Sequence, residues 1–536
     1  MSESNSNKQT FLHGAALLTM AMLFVKLAGA LYKIPLNAII GEQGFGYFST
    51  AYQVYSVLLL ISTAGLPVAV SRMISAAAAQ GHYQQVRRIY KTARILFLSL
   101  GAVSSALMIL FSHQLANFQH QPNAWVAITC LGPCAFLVCL LSTYRGFFQG
   151  QGNMLPTSIS EIIEAACKLF VGVAAAVAVY RLTDDVAFAA GGAILGVTFG
   201  ALAASLFMGA KFHKAYHQLP HSEEASGSYR SILKGLLAVA VPITIGSAGL
   251  ESLYVIETNL YMGQLLSTGF TQDQADVMKG IYDMARTIYN MPCAFITPLT
   301  ISIIPAITSH LTLGDLRNAR ATEESVARIA GLIASPCAVG LAVMARPVTA
   351  LLGSYTGTNL DLAAALMATL GIGLYFYAAV QVTNAIMQAN GHATLPVINI
   401  LFAGIVKLVL VYFLVGNPRL SIVGVPIGAT LCNILVAILN IVGMRRVMNH
   451  KPSIIRNYLR SAVSSLIMGA CVFGVCRLLG RFFEETSRSG KLILCAVPIL
   501  VGVGIYAVCA VKLRAITRED CLLLPKGEKI ASFLHL

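Results

Sequence analysis

Charged residues are scarce in this 536-residue chain. Only 11% of its residues are Asp, Glu, Lys or Arg, whereas 57% are hydrophobic. A soluble globule of this size needs far more charge to cover its surface. A bilayer-spanning helix needs about 20 mostly apolar residues, and many windows of the sequence supply them. We therefore expect an all-α polytopic membrane protein.

Motifs that carry chemistry are also missing. Twelve cysteines are present, but no C-x-x-C pair or Cys/His cluster, which argues against a zinc site and a disulfide framework. No G-x-x-x-x-G-K-[ST] phosphate loop occurs, since Gly490-Lys491 is followed by Leu492. We expect neither an enzyme nor a bound cofactor. The driving force would then come from a monovalent cation, a proton, the membrane potential or substrate supply.

Apolar stretches recur along the whole chain, and fourteen transmembrane helices can be counted. Those of thirty residues or more with an internal proline predict tilted helices or breaks at Pro35, Pro67, Pro242 and Pro292. The expected ranges are 11–40, 47–79, 89–111, 124–149, 155–180, 186–210, 236–266, 277–310, 325–352, 361–388, 395–416, 421–444, 458–480 and 491–512.

Basic residues are distributed unevenly between the loops on the two sides of these spans. One set of loops carries 22 lysines and arginines, and the other carries six. The positive-inside rule makes the richer side cytoplasmic, so both termini are expected in the cytoplasm. The net charge of +15 comes mainly from basic residues in these loops rather than from a basic patch. Nucleic acid is therefore not an expected partner. Residues 517–536 are expected to form a short cytoplasmic tail.

A repeated segment indicates an internal duplication. The stretch from Arg145 to Lys168 returns in part as Ala385 to Lys407. Six spans precede the polar linker 211–230, so the two halves should enter the membrane in the same sense and be related by a pseudo-two-fold axis along its normal. The matches at an offset of 239 residues are Gln149/Gln388, Gly152/Gly391 and Lys168/Lys407.

This duplication predicts the domain organisation. Residues 1–220 would form an N-lobe of helices 1–6 with the cytoplasmic linker, and residues 221–450 a C-lobe of helices 7–12. Residues 451–536 would add helices 13 and 14 and the tail, outside the duplication.

Three charges follow one another in the fifth span. Helical spacing puts Glu161, Glu164 and Lys168 on one face, and such a face should look onto protein or a water-filled cavity because charge is costly in lipid. We expect Glu164 and Lys168 to neutralise each other, which leaves Glu161 to pair elsewhere or to bind a proton. Arg145, near a span end, is expected to snorkel towards the interface.

A second set of polar residues points to an anion. Lys26 and Lys33 lie two turns apart in the first span, and bases outnumber acids inside the spans by nine to five. A positive cavity recruits anions, phosphates above all. The alternative is that these charges pair internally and only lock helices together. The eighth span adds Asp283, Arg286 and Asn290 on one face, and the seventh adds Glu251 and Glu257.

Several segments resemble the stage V sporulation protein B and lipid II flippase-like branch of the multidrug/oligosaccharidyl-lipid/polysaccharide (MATE-like) exporter superfamily. They are YRGFFQGQGNMLPTSISEIIEAACK from Tyr144, FVKLAGALYKIPL from Phe24, and GIYDMARTIYNMPCAFITPLTISIIPAIT from Gly280. The resemblance covers nearly the whole chain. It implies two pseudo-symmetric six-helix lobes around a V-shaped cavity, with two C-terminal helices that help to form a groove for a lipid tail.

The function implied by this resemblance is flipping of a polyprenyl-diphosphate-linked saccharide, a lipid II-type peptidoglycan precursor, across the bacterial inner membrane. Membrane lipids and cell-wall synthesis proteins are the further partners it implies. The sequence departs from the lipid II flippases where they carry cavity arginines: Lys26 and Tyr32 occupy two such positions, and Leu58–Leu60 a third. Exact phosphate ligands therefore do not carry over, but the positive character does.

Combining these observations, we expect the diphosphate to bind between Lys26, Lys33 and Arg286, with Asp283, Asn290 and Glu251 nearby. Two alternatives stay open. A cation-coupled drug exporter of the same superfamily would use Glu251 and Glu257, but the lysines of the first span would repel its cationic substrates. A membrane-embedded glycosyltransferase is disfavoured because the external loops are short.

Overall fold

The computed structural model describes residues 2–63, 65–220, 227–448, 452–483 and 487–513. Most side chains before Leu31 lie outside this description, as do those at 250, 298, 299, 301, 302, 457 and 488. The expected tail and the middle of the linker fall outside it too. Every regular element in the described part is helical, which confirms the all-α class.

The helices, in chain order, are α1 Ser2–Thr63, α2 Leu66–Ala79, α3 Tyr83–Leu110, α4 Ser112–Phe118, α5 Trp125–Gly150, α6 Leu155–Thr183, α7 Val186–His217, α8 Tyr229–Ser267, α9 Gln272–Thr312, α10 Leu316–Val343, α11 Ala345–Leu352, α12 Gly357–Ala389, α13 Thr394–Val415, α14 Gly424–Val447, α15 Ile454–Leu479 and α16 Arg488–Lys512. Short 3-10 turns at Pro122–Ala124 and Ser421–Val423 precede α5 and α14.

Two residues interrupt the long apolar stretch at the N-terminal end. Gly41 breaks α1 with a φ of +67°, a conformation that glycine alone adopts readily. Pro67 lies in the first turn of α2, where the missing N–H costs nothing, so the predicted break there is confirmed. Pro35 and Pro242, in contrast, lie inside α1 and α8.

Twelve stretches of the described chain are long and apolar enough to cross a membrane, which confirms a polytopic membrane protein. The first of them, Leu31–Ala79, contains the break at Gly41. The 41-residue helix α9 is not among the twelve. Counting both sides of Gly41 and adding α9 would give fourteen, and that number stays a prediction.

The helices pack into two compact units. The first contains residues 1–263 and 271–280, and the second contains 264–270 and 281–536. Packing thus groups most of α8 with the first unit. The lobe boundaries 1–220, 221–450 and 451–536 rest on the sequence repeat rather than on packing, and they stay a prediction.

Corresponding helices of the two halves agree in length and in their breaks. Helices α3 and α10 both have 28 residues, and each is followed at once by a short helix, α4 or α11. The turn before α3 contains Gly81 at φ +77°, and the turn before α10 contains Gly314 at φ +74°. These elements correspond at one offset of 233 residues, close to the offset of the sequence repeat.

The turns of the repeated segment also have the same backbone geometry. After α5, the N–H of Gly152 donates to the carbonyl of Gln149 and the N–H of Asn153 to that of Phe148. After α12, Gly391 and His392 make the equivalent bonds to Gln388 and Met387. Both are Schellman motifs, which require a left-handed residue, and the glycines have φ of +76° and +81°.

Each unit has its own apolar core. In the first, aromatic rings from α3, α5 and α7 pack together, with the Tyr90 and Phe212 centroids 4.3 Å apart. In the second, α15 packs on α10, where Ser461 and Ser335 hydroxyls lie 3.0 Å apart. Lipid removes the hydrophobic driving force between helices. Close packing through small residues stabilises the contact of α15 with α10 instead.

Candidate functional site

An ionic cluster joins the two helices of the first repeated hairpin. The turn between α5 and α6 folds Arg145 back against Ser160 and Glu164. Its guanidinium donates to the Ser160 hydroxyl over 2.9 and 3.1 Å, and to a Glu164 carboxylate oxygen over 3.1 Å. Both charged side chains are mostly enclosed, at 17% and 29% exposure. Charge-assisted bonds of this kind are among the stronger ones in proteins.

The expected pairing of Glu164 with Lys168 is therefore wrong, and so is the expected snorkelling of Arg145. The reason is the turn: it brings a guanidinium fork within reach of Glu164, whereas Lys168 lies one turn further along α6. Its ammonium is 4.8 Å from the centre of the Tyr52 ring on α1, within the range of a cation–π interaction. Glu164 still acts on it electrostatically.

Aromatic side chains of α1 line the space around Lys168. The Tyr52 ring lies 5.0 Å from Phe48 and 6.1 Å from Tyr55, and the Phe48 ring lies 6.0 Å from Tyr32. Among the described residues, the hydroxyls of Tyr32 and Tyr52 are buried and have no hydrogen-bond partner. A buried hydroxyl without a partner costs about 1–3 kcal/mol. This wall can therefore bind a further polar group or a proton carrier beside the lysine.

Glu161 lies one turn before Glu164 and is half-buried. It is close enough to Arg145 and Glu164 to interact with both electrostatically. The face predicted from the sequence therefore exists as a cluster on α6, with Arg145 of α5 as a member that the spacing rule within one helix could not supply.

In the second unit, a network of amides occupies the positions equivalent to Arg145 and Ser160. Adding the repeat offset of 239 converts Arg145 and Ser160 into Asn384 and Asn399. There, the buried Asn440 of α14 donates to the Asn384 amide oxygen over 2.8 Å and accepts from the Asn399 amide over 2.9 Å. The two repeats thus join corresponding helices with polar groups. Of the charged positions in the first unit, only Lys168 has a charged equivalent in the second, Lys407.

The residues expected to bind a diphosphate divide between the two units. Lys33 is half-buried on α1, with its ammonium 6.0 Å from the centre of the Phe45 ring. Lys26 lies two turns earlier in α1, but its side chain is outside the described residues. Glu251, on α8, is half-buried in the same unit as Lys33.

The other expected residues lie on α9 in the second unit. Asp283 is 4% exposed, Arg286 is half-buried and Asn290 is exposed. Their spacing gives one face of α9, as the sequence predicts. Convergence of this face with Lys33 on one substrate stays a prediction.

Sequence reasoning missed a second buried network, around Asp276 at the start of α9. Its carboxylate accepts hydrogen bonds from Gln121 (3.1 Å), Gln272 (2.8 Å) and Tyr47 (3.0 Å). Lys279 is one of the six basic residues that were expected in loops on the less basic side. It is in fact fully buried, with its ammonium 3.5 Å from the Gly46 carbonyl oxygen. The one available signal was the polar spacing Gln272, Asp276, which puts both on one helix face.

Comparison with known proteins places this architecture. The model of the family described as "Polysaccharide biosynthesis protein" matches residues 11–310, more than half of the chain. In Bacillus subtilis (strain 168), stage V sporulation protein B is 23% identical over 525 residues, covering 97% of this chain and 98% of its own length. Lipid II flippase MurJ from the same strain is 21% identical over 519 residues, covering 94% of this chain and 95% of its own length.

Solved structures give the same result for the fold. A lipid II flippase MurJ in an inward closed conformation matches with a TM-score of 0.64 at 12% identity, over 94% of this chain and 98% of that one. An inward-facing multidrug resistance MATE family transporter matches with a TM-score of 0.62 at 19% identity, over 79% of this chain and 97% of that one. The resemblance seen in the sequence is confirmed by these matches.

Proposed function

Because the chain belongs to the polysaccharide biosynthesis protein family, we propose that it translocates a polyprenyl-diphosphate-linked saccharide by alternating access. It is a membrane flippase of the multidrug/oligosaccharidyl-lipid/polysaccharide superfamily. The proposed substrate is a lipid II-type peptidoglycan precursor, carried across a bacterial inner membrane with both termini in the cytoplasm. The observation that carries this proposal is similarity over at least 94% of the chain to a lipid II flippase in both sequence and fold.

The charges inside the apolar helices support an anionic substrate. Lys33 lies in the candidate membrane span Leu31–Ala79 and Arg286 in the 41-residue helix α9, and both are half-buried. Ionisable groups at such places are costly, and in membrane proteins they face the bundle interior or a water-filled path. An arginine and a lysine together suit a diphosphate, since the guanidinium offers a planar fork and the ammonium a compact charge. The prenyl chain would remain in lipid.

Coupling is proposed for the first unit. The cluster of Arg145, Glu161, Glu164 and Lys168 puts four ionisable side chains on one helical hairpin. The equivalent positions of the second unit hold Asn384, Ile400, Ala403 and Lys407, of which only the lysine is ionisable. Movement of a proton or a monovalent cation through Glu161 would change the charge balance of this hairpin. Replacing Glu161 with Gln should then change the pH dependence of transport, and an unchanged profile would contradict the coupling role.

Transport of lipid II by the purified protein in vesicles tests the substrate. We expect Lys26→Ala, Lys33→Ala and Arg286→Ala each to abolish flipping while the protein still inserts, and Lys26→Arg to retain part of the activity because charge survives but geometry changes. Arg477→Ala is the matched control, since Arg477 lies over the Phe473 ring near the end of α15.

Wild-type rates in all three alanine variants would show that a diphosphate is not held there. The drug exporter alternative predicts the opposite dependence. Its transport of an organic cation would need Glu251 and Glu257, and would be indifferent to loss of the basic residues.

A further inference from the structure

A groove lies where α14 ends and α15 begins, at the boundary of two candidate membrane spans, Ser421–Val447 and Ile454–Leu479. Its volume is about 790 Å³, within the usual range for small-molecule sites. Ile441 and Met444 form one wall on α14. Leu459 and Val463 form the other wall, in the second and third turns of α15.

Three arginines surround the mouth of this groove. Arg445 stands at the end of α14, and Arg456 and Arg460 follow in the first two turns of α15. Arg445 and Arg456 are exposed and Arg460 is half-buried. No acidic residue lines the groove, and no ion pair is found for these three guanidiniums among the described residues.

One carboxylate contacts Ser453, a residue of the groove lining, and it is already engaged. Glu324 of α10 accepts a hydrogen bond from the backbone N–H of Ser453 over 2.8 Å and pairs with Arg320 over 3.0 Å. This contact fixes the start of α15 against α10.

We propose that this groove binds a phospholipid with an anionic headgroup from the surrounding bilayer. The phosphate lies among the guanidiniums of Arg445, Arg456 and Arg460, and an acyl chain follows the apolar walls into the membrane. Charge and depth select this occupant: a basic rim at the ends of two spans stands at headgroup level, and apolar walls continue below it. The site shares no residue with the proposed diphosphate site, so its failure leaves the proposed function untouched.

Lipid binding to the full-length protein in a neutral detergent tests the proposal. Short-chain phosphatidylglycerol should raise the midpoint of thermal unfolding, and the dissociation constant should rise at least tenfold in Arg456→Gln. The control variant is Arg446→Gln, which removes the same unit of charge from the exposed neighbour of Arg445, outside the groove lining. It should bind as the wild type does.

A second variant tests the apolar wall with the charges intact. Val463 is 51% exposed, so Val463→Trp can fill the groove without disturbing the core, and it should also weaken binding at least tenfold. Equal losses in Arg446→Gln would mean attraction to a diffuse surface charge. Equal stabilisation by phosphatidylcholine would mean an apolar additive effect only, and equal stabilisation by free glycerol phosphate would mean an anion site. Each of these three results overturns the proposal.

Discussion

The Arg145–Glu164 pair allows a quantitative test of the first hairpin. In Arg145→Ala, Ser160 loses a donor and Glu164 keeps a largely enclosed negative charge. Breaking a fully buried ion pair costs about 3–5 kcal/mol. With 17% and 29% exposure, we expect a smaller loss of unfolding free energy, about 2–3 kcal/mol, near the upper range for hydrogen bonds to charged groups.

Glu164→Ala should cost less, about 1–2 kcal/mol, because Arg145 keeps its bonds to Ser160. The double variant should cost no more than Arg145→Ala alone, since it leaves no unpaired carboxylate. The resulting coupling energy is about 1–2 kcal/mol, within the range measured for residues in one network. Equilibrium unfolding of the four proteins in mixed micelles with a denaturing detergent gives these differences.

A matched cycle on Arg346 and Asp361 is the control. These residues also form an arginine–carboxylate pair, but they are 49% and 65% exposed. Exposed pairs contribute about 0–1 kcal/mol, so the coupling energy should be clearly smaller there. If the Arg145 and Glu164 losses simply add, or if both cycles give equal coupling, the hairpin is not held together by an enclosed pair.

Three further predictions concern the turns, the helix ends and the orientation. Gly152→Ala and Gly391→Ala should each destabilise the protein by about 1–2 kcal/mol through backbone strain alone, because no atom lies within 4 Å of the added Cβ. The control Gly249→Ala, in α8 and equally open, should be neutral or stabilising. Equal losses at all three positions would refute the explanation. The pKa of the Asp315 carboxyl is lowered, chiefly by the hydrogen bond that it accepts from the backbone N–H of Asn318 as the N-cap of α10. Because the pKa is lower in the folded state, the stabilisation of α10 by the ionised Asp315 cap is present above the ordinary Asp value of about 3.9 and is lost as pH falls through the folded-state pKa. Amide-exchange protection of the first turn of α10 should therefore fall over that pH range. Asp315→Ala should remove this pH dependence. For orientation, a cysteine at Glu42 or Thr356 should react with an impermeant external thiol reagent and one at Gln85 should not; reversed labelling would contradict the cytoplasmic placement of both termini.

The parts of the fold that follow local rules could be predicted from the sequence. Apolar length gave the helical class, and paired glycines at 152 and 391 gave two equivalent turns that the structure confirms. Pro67 marked the start of a helix for the same kind of local reason, since its backbone cannot donate there.

Contacts across turns and between distant segments could not be predicted in the same way. Arg145 meets Glu164 only because a Schellman turn aligns two helices, and spacing rules for one helix do not reach across it. Lys279 resembles a loop residue by hydropathy, yet its burial depends on the backbone at Gly46, 233 residues earlier. The sequence around Arg145 contains no pattern that identifies Glu164 as its partner, and the sequence around Lys279 contains none that identifies Gly46.

The two Schellman turns also bear on how helices can end in a membrane. At the end of a helix the last carbonyls normally need water or a neighbouring chain, and lipid offers neither. After α5 and α12, the turn itself satisfies carbonyls at the helix end through its own N–H groups. In both helical hairpins, α5–α6 and α12–α13, these carbonyls therefore need no partner from another helix.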